Sequence, residues 1–190
     1  PLLKVNGIDT GPCELFLKLE LRNPGDSIKD RIAQAMIKNA EDKGLLKPGG
    51  LIVEGTAGNT GISLAMIGRL KGYKVTVVLP DKMSAGKIAH LKALGAKVVL
   101  ASSQANKGDS DYYQDMAENI AKKENGYFIN QFGNPANPEI HEKTTGPEIW
   151  NQSNENIDAF IAGVGSGGTI TGVGRYLKKM NPSIQIILAD

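Results

Sequence analysis

Lys29 lies in a stretch whose neighbours favour a reactive lysine amine. Residues 23–31 read Asn-Pro-Gly-Asp-Ser-Ile-Lys-Asp-Arg and join a strand-like segment, 15–21, to a helix-like one. Ser27 is typical of a helix N-cap, and Asp30 of the acidic partner three residues later. Because unpaired N–H groups and the helix dipole make this end positive, we expect a lowered pKa for Lys29. A neutral lysine amine is a nucleophile that forms Schiff bases with carbonyl compounds.

Two further loops offer binding sites for anions. Residues 56–60, Thr-Ala-Gly-Asn-Thr, follow a short apolar strand and precede a helix, so backbone N–H groups and hydroxyls there suit a carboxylate. Residues 163–169, Gly-Val-Gly-Ser-Gly-Gly-Thr, suit a phosphate, because glycines let the backbone approach closely. Capping or packing turns are the alternative for both loops, as a solvated surface lysine is for Lys29.

The second loop also fits a dinucleotide. Gly163, Gly165 and Gly168 satisfy G-x-G-x-x-G after a strand, and Asp190 ends the next strand about 20 residues later. This alternative predicts a nicotinamide or flavin enzyme. The late position of the loop, the extra Gly167 and the threonine after the last glycine stand against it.

Helical and strand patterns alternate along the chain. The predicted helices cover 27–43, 62–71, 83–94, 110–124, a segment ending near 150, and 170–180. The predicted strands cover 15–21, 51–53, 74–79, 97–100, 127–129, 157–162 and 185–189. Such alternation is typical of α/β proteins, in which mostly parallel sheets are covered by helices and ligands lie outside the carboxyl ends of strands.

Composition excludes several classes of function. The 22 basic side chains are interspersed with 20 acidic ones, which gives a net charge of +2 and no stripe for nucleic acid. No apolar run approaches the roughly 20 residues that span a bilayer. The single cysteine, Cys13, cannot form an internal disulfide, which favours a cytoplasmic location. His90 and His141 have no ligating neighbours in sequence, so we expect structural or surface roles and no metal site.

Four motifs in register resemble the cysteine synthase and cystathionine β-synthase family, and they span the whole chain. They are residues 23–31, 56–61, 130–150 and 163–169. The resemblance implies a pyridoxal-phosphate enzyme of fold type II, the tryptophan synthase β-like class. Such enzymes have two α/β lobes of mostly parallel sheet covered by helices, with the cofactor between the lobes, and are usually homodimers.

The resemblance also implies how the chain divides. Residues 23–134 correspond to the smaller lobe, which carries the lysine and the carboxylate loop. Residues 1–22 and 135–190 correspond to the larger lobe with the phosphate loop. We expect this lobe to be incomplete, because the C-terminal part of the family's catalytic core has no counterpart and both ends look cut.

Individual residues match the family's functional positions. Lys29 looks like the Schiff-base lysine that holds pyridoxal 5'-phosphate and acts as the catalytic base, and Asn59 like the partner of the cofactor's ring hydroxyl. The residues that match the substrate-carboxylate site are Thr56, Ala57, Gly58, Asn59, Thr60 and Gln131. Those that match the phosphate site are Gly165, Ser166, Gly167, Gly168 and Thr169.

The chain departs from the family pattern at four positions. Asp26 stands where a small residue is usual, Gly55 where proline is usual, and Ala57 where serine is common. Gly86 lies in a stretch where glutamate is typical. Ala57 lacks a hydroxyl but keeps its backbone donor, whereas an Asp26 carboxylate near Lys29 would favour the protonated amine.

The activity that the resemblance implies is β-replacement on serine or O-acetylserine. With homocysteine as the acceptor the product is cystathionine, and with sulfide it is cysteine. Residues 56–61, 87–99 and 111–116 favour bacterial cystathionine β-synthases, which is our prediction, whereas 138–150 favours the alternative, a cysteine synthase. Threonine deaminases rank below both, and a non-catalytic small-molecule binding module is the non-enzyme alternative. Expected partners are these small molecules and a second copy of the chain, with no nucleic acid and no membrane.

Overall fold

Eight strands and seven α-helices alternate along residues 1–189, the part of the chain that the computed structural model describes. The strands are β1 (Leu2–Lys4), β2 (Phe16–Lys18), β3 (Leu51–Gly55), β4 (Lys74–Pro80), β5 (Lys97–Ala101), β6 (Tyr127–Phe128), β7 (Ala159–Gly163) and β8 (Gln185–Ala189). The helices are α1 (Lys29–Asp42), α2 (Asn59–Leu70), α3 (Ala85–Ala93), α4 (Tyr113–Lys123), α5 (Ala136–Ile140), α6 (Gly146–Gln152) and α7 (Gly168–Met180). None of the helices in this range is long and apolar enough to cross a membrane.

The chain forms two units with separate sheets. One unit is Lys29–Ala136, and the other combines residues 1–28 with those from 137 onward. The α/β fold with parallel sheets and covering helices that the sequence predicts is therefore confirmed. The assignment of one lobe to the carboxylate and the other to the phosphate stays a prediction.

The unit Lys29–Ala136 is built on a parallel sheet with strand order β5-β4-β3-β6. Six consecutive residues of β4, 75–80, are buried, as apolar strands covered on both faces by helices should be. Helix α1 buries an apolar stripe at helical spacing, which includes Ile32, Met36 and Ala40.

Helix α1 begins later than its sequence pattern predicts. The first helical residue is Lys29, two positions after Ser27, which was the expected N-cap. The Asn23 carboxamide donates to the carbonyl oxygens of Glu20 and Ser27, at 2.9 and 3.1 Å, and so keeps the Ser27 carbonyl in the preceding turn. Asp26 in this turn has a φ of +57°, a left-handed conformation that glycine, asparagine and aspartate adopt more readily than other residues.

The second unit has an antiparallel pair, β1-β2, and a parallel pair, β7-β8, with α7 as the crossover. Its core includes Ile149, Val173, Leu177 and Ile184. Between α5 and α6 the helix widens into a π-helical segment, His141–Thr145.

Candidate active site

Lys29 is held at the first turn of α1 and is half-buried. Burial lowers the pKa of its ammonium below the ordinary value of 10.5. The direction is the one that the sequence predicts, and the physical cause is the loss of hydration of the charged form. Asp30, the next residue, is buried and accepts a hydrogen bond of 2.5 Å from Ser63 on α2, which links the two helices. The start of α1 is thereby tied to the helix that follows the carboxylate loop.

The predicted carboxylate loop, residues 56–60, joins β3 to α2. Helix α2 begins at Asn59, three residues earlier than the apolar spacing predicts, so Asn59 and Thr60 lie in its first turn. Ala57 and Asn59 are exposed, whereas Thr56 and Thr60 are buried. Backbone N–H groups at the start of a twelve-residue helix are therefore presented next to two buried threonines, which suits an anion.

Gln131 meets this loop within the same unit. Thr60 Oγ1 donates to Gln131 Oε1 at 2.7 Å, and both side chains are buried. The structure thus brings together two residues that are 71 positions apart in the sequence and that were predicted to share the carboxylate site.

Glu54 is a buried acid directly before the loop, and it was not predicted as a site residue. Its Oε2 accepts the backbone N–H of Asn130 at 2.8 Å, and its Oε1 accepts that of Gln131 at 3.4 Å. Burial raises the pKa of the Glu54 carboxyl to about 8, against the opposing effect of these hydrogen bonds and one from the Gln131 side chain. The signal that could have identified it is an acidic residue that directly continues the apolar strand Leu51–Val53.

Lys87 on α3 also lies next to the carboxylate loop, and it was not predicted as a site residue. Its Nζ donates to the carbonyl oxygen of Ala57 at 3.1 Å. Gly86 beside it has open space around the position of a Cβ, so a larger residue there would not clash. An ammonium group therefore lies against the outer edge of the carboxylate loop.

The predicted phosphate loop belongs to the other unit, between β7 and α7. Gly167 has a φ of +78° and is the N-cap of α7, a left-handed conformation that glycine adopts without strain. A Cβ at Gly165 or Gly167 would meet no atom within 4 Å, so the backbone there is open to a ligand. Gly168 and Thr169 lie in the first turn of a thirteen-residue helix, where N–H groups favour an anion.

Two polar side chains contact the hydroxyls of this loop. Asn137 Nδ2 donates to Ser166 Oγ at 2.9 Å. His141 is buried, with Nε2 3.3 Å from Thr169 Oγ1 and Nδ1 2.9 Å from Thr145 Oγ1. His141 is therefore a buried residue that links the phosphate loop to the π-helical segment, and its structural role stays a prediction.

Each unit, taken by itself, offers groups that fit one part of pyridoxal phosphate. The amine of Lys29 has a lowered pKa, and the loop at α7 offers open glycine backbone and two fixed hydroxyls. These are the groups that an aldehyde and a phosphate require. Over residues 1–189, no group of three or more His, Cys, Asp and Glu side chains is arranged to hold a metal ion.

A family model described as "Pyridoxal-phosphate dependent enzyme" matches residues 1–190. The chain is 47% identical to a cystathionine beta-synthase of Apis mellifera over 100% of this chain and 38% of that protein. It is 50% identical to a cysteine synthase of Staphylococcus aureus over 100% of this chain and 61% of that protein. The chain thus spans about two fifths of the length of the first relative and about three fifths of the length of the second.

A solved structure agrees with the sequence matches. The crystal structure of O-ureido-L-serine synthase superposes with a TM-score of 0.92 and 37% identity, covering 99% of this chain and 59% of that one. This similarity runs through both units and confirms the fold type that the motifs predict. It also removes the basis of the dinucleotide alternative, of which one element, Asp190, lies outside the described residues.

Proposed function

The chain belongs to the pyridoxal-phosphate dependent enzyme family, and we propose that the whole protein catalyses β-replacement on serine or O-acetylserine with a sulfur nucleophile. The observation that carries this proposal is the buried pair of Thr60 and Gln131 beside the N-terminus of α2, in the same unit as Lys29. This pair suits the α-carboxylate of an amino acid, and the amine suits the cofactor.

The chemistry that the cofactor supplies when bound is the withdrawal of electrons from the α-carbon of the amino acid. Lys29 would hold the cofactor covalently through Nζ. The same amine, when free, would take the α-proton, and a lowered pKa favours this role because a larger fraction of the amine is unprotonated.

The other predicted residues bind and orient. Thr56, Thr60 and Gln131, with the backbone of residues 57–59, would hold the substrate carboxylate. Residues 165–169 would hold the cofactor phosphate through backbone N–H groups and two hydroxyls, and Asn59 its ring hydroxyl. Holding the carboxylate in the same unit as Lys29 would orient the α-carbon of the substrate for that amine.

The identity of the sulfur nucleophile distinguishes two candidate activities. Homocysteine makes the protein a cystathionine β-synthase, and sulfide makes it a cysteine synthase. Relatives of both names match the whole chain, at 47% and 50% identity, so the comparisons support the sulfide alternative at least as well as the homocysteine prediction. A homodimer and a cytoplasmic location stay predictions.

The test uses the full-length protein with pyridoxal phosphate and four substrate pairs: serine or O-acetylserine, each with homocysteine or sulfide. Cystathionine and cysteine are measured by chromatography, and the dominant product names the acceptor. Lys29→Ala should lower turnover by about 10²–10⁴-fold. The matched control is Lys38→Ala, an exposed lysine on the same helix that pairs with Asp42. Full turnover in Lys29→Ala would refute the assignment.

A further inference from the structure

Glu54 is almost completely buried, at 1% exposure, and lies beneath the predicted carboxylate site. It is the fourth residue of β3, which pairs in parallel with β6 through Val53 and Phe128. The backbone N–H of Ile129 continues this ladder to the Val53 carbonyl at 3.0 Å. The pairing therefore brings residues 130 and 131 against the Glu54 side chain.

Three donors converge on the Glu54 carboxyl group. They are the backbone N–H of Asn130 at 2.8 Å, the backbone N–H of Gln131 at 3.4 Å, and the side-chain amide of Gln131. Because Gln131 Oε1 faces Thr60 Oγ1 at 2.7 Å, the end of the carboxamide that faces Glu54 is the amide nitrogen.

The other contact of the Gln131 carboxamide does not fix its orientation. Thr60 Oγ1 lies 2.7 Å from Gln131 Oε1, but a hydroxyl group rotates to donate or to accept. The two Glu54 oxygens, which already accept the backbone N–H groups of Asn130 and Gln131, favour the amide nitrogen on their side because they accept a hydrogen bond from it. An amide nitrogen carries two N–H groups, so it donates to Glu54 and to a substrate carboxylate at the same time.

We propose that Glu54 is a positioning residue that fixes the Gln131 carboxamide with its N–H groups available to the substrate carboxylate. The inference rests on the proposed function, since it takes Gln131 as a residue that binds this carboxylate. It adds to that function a second layer of the site, in which an acid that touches neither substrate nor cofactor sets affinity for amino acids.

The test measures ligand binding and not turnover. Full-length protein with pyridoxal phosphate is titrated with L-serine and, separately, with ethanolamine, which has the amine and hydroxyl of serine but no carboxylate. The visible absorption of the bound cofactor reports both titrations. The variants are Glu54→Gln, Gln131→Ala, the double variant, and the control Glu118→Gln, an exposed acid on α4 paired with Lys122.

Glu54→Gln should raise the apparent Kd for serine by about 10-fold, because an amide nitrogen cannot accept a hydrogen bond and leaves one donor of residues 130–131 unpaired. The Kd for ethanolamine should stay within about twofold of the wild-type value. Gln131→Ala should show the same selectivity, and the double variant should be no weaker than Gln131→Ala alone, because the two residues act through one contact. Glu118→Gln should match the wild type with both ligands.

Two results would overturn the positioning role: wild-type serine affinity in a folded Glu54→Gln protein, or equal losses for serine and ethanolamine. Thermal unfolding establishes that the variant is folded. If it is not, Glu54→Asp keeps both acceptor oxygens but retracts them by one methylene, and it should weaken serine alone, by less than Gln131→Ala does. Unchanged serine affinity in Glu54→Asp would count equally against the role.

The same titrations separate this inference from the proposed function. A wild-type protein that binds the cofactor but responds to neither amine would refute the proposed function, and the inference with it. A wild type that responds normally, with serine affinity lost in Gln131→Ala and kept in Glu54→Gln, would refute only the role of Glu54.

Discussion

The carboxylate loop, residues 56–60, and the phosphate loop, residues 163–169, both join a parallel strand to a helix, but they are built differently. The carboxylate loop is built on buried side chains, which include Thr60, Gln131 and the acid Glu54. The second has open glycine backbone, and its hydroxyls contact the side chains of Asn137 and His141. A site built on side chains depends on distant residues for its orientation, whereas a site built on backbone depends on helix packing.

The largest expected effect concerns Glu54, the buried acid next to the carboxylate loop. Because the folded pKa of Glu54 is about 8 and the ordinary value is 4.5, the folded protein keeps a proton that the unfolded chain loses between these values. The stabilisation from this proton is complete below pH 4.5 and is lost as pH rises to about 8, by at most about 1.4 kcal/mol per pH unit.

Chemical unfolding of the wild type and of Glu54→Gln at several pH values from 4 to 9 measures this slope. The wild type should lose stability across the window, and the variant, which cannot titrate there, should lose less. Parallel curves for the two proteins would contradict the raised pKa. Glu118→Gln serves as the control, since an exposed acid should leave the wild-type slope unchanged.

In the phosphate-loop region, we expect the free energy of unfolding to depend on the close packing of α7. A Cβ at Gly172 would overlap the Pro138 carbonyl oxygen and lie 2.7 Å from His141 Cβ. We expect Gly172→Ala to lower the free energy of unfolding by about 1–3 kcal/mol, as overpacking of a core does. Denaturant unfolding measures this change.

Gly174 on the same helix provides the matched control. A Cβ there would make ordinary contacts of 3.4 to 3.7 Å with Ile186. Gly174→Ala should therefore raise stability by about 0.5–1 kcal/mol, because alanine loses less backbone entropy in a helix. Equal effects of the two substitutions would show that helix propensity, and not close approach, governs this helix.

A smaller loss of stability than at Gly172 is expected at Gly55, where the family usually has proline. A Cβ at this position would lie 2.6 Å from the Tyr113 carbonyl oxygen and 2.8 Å from Gln114 Cα. Gly55→Ala should destabilise by about 1–2 kcal/mol, since the start of α4 has to move away from β3. Gly86→Ala, which has open space, is the control and should be neutral or slightly stabilising in thermal unfolding.

The order of elements could be predicted because each apolar pattern reports on its own segment. The predicted first residues of the helices were less accurate, because the residue at which a helix begins depends on contacts from outside the helix. The Asn23 carboxamide, for example, holds the Ser27 carbonyl in the turn before α1. Helix α2 likewise begins at Asn59, inside the stretch expected to be loop, because Thr and Asn at a strand end do not mark which residue is the first helical one.

The sequence by itself determined the α/β class and, through four motifs, the family, and it predicted the reactive lysine and the two anion loops. All of these depend on residue types that are close together in the chain. Only the tertiary structure decided that Glu54 contacts Asn130 and Gln131, 76 and 77 positions away. Which strands become neighbours depends on how the whole sheet buries its faces, and no local pattern around Glu54 contains that information.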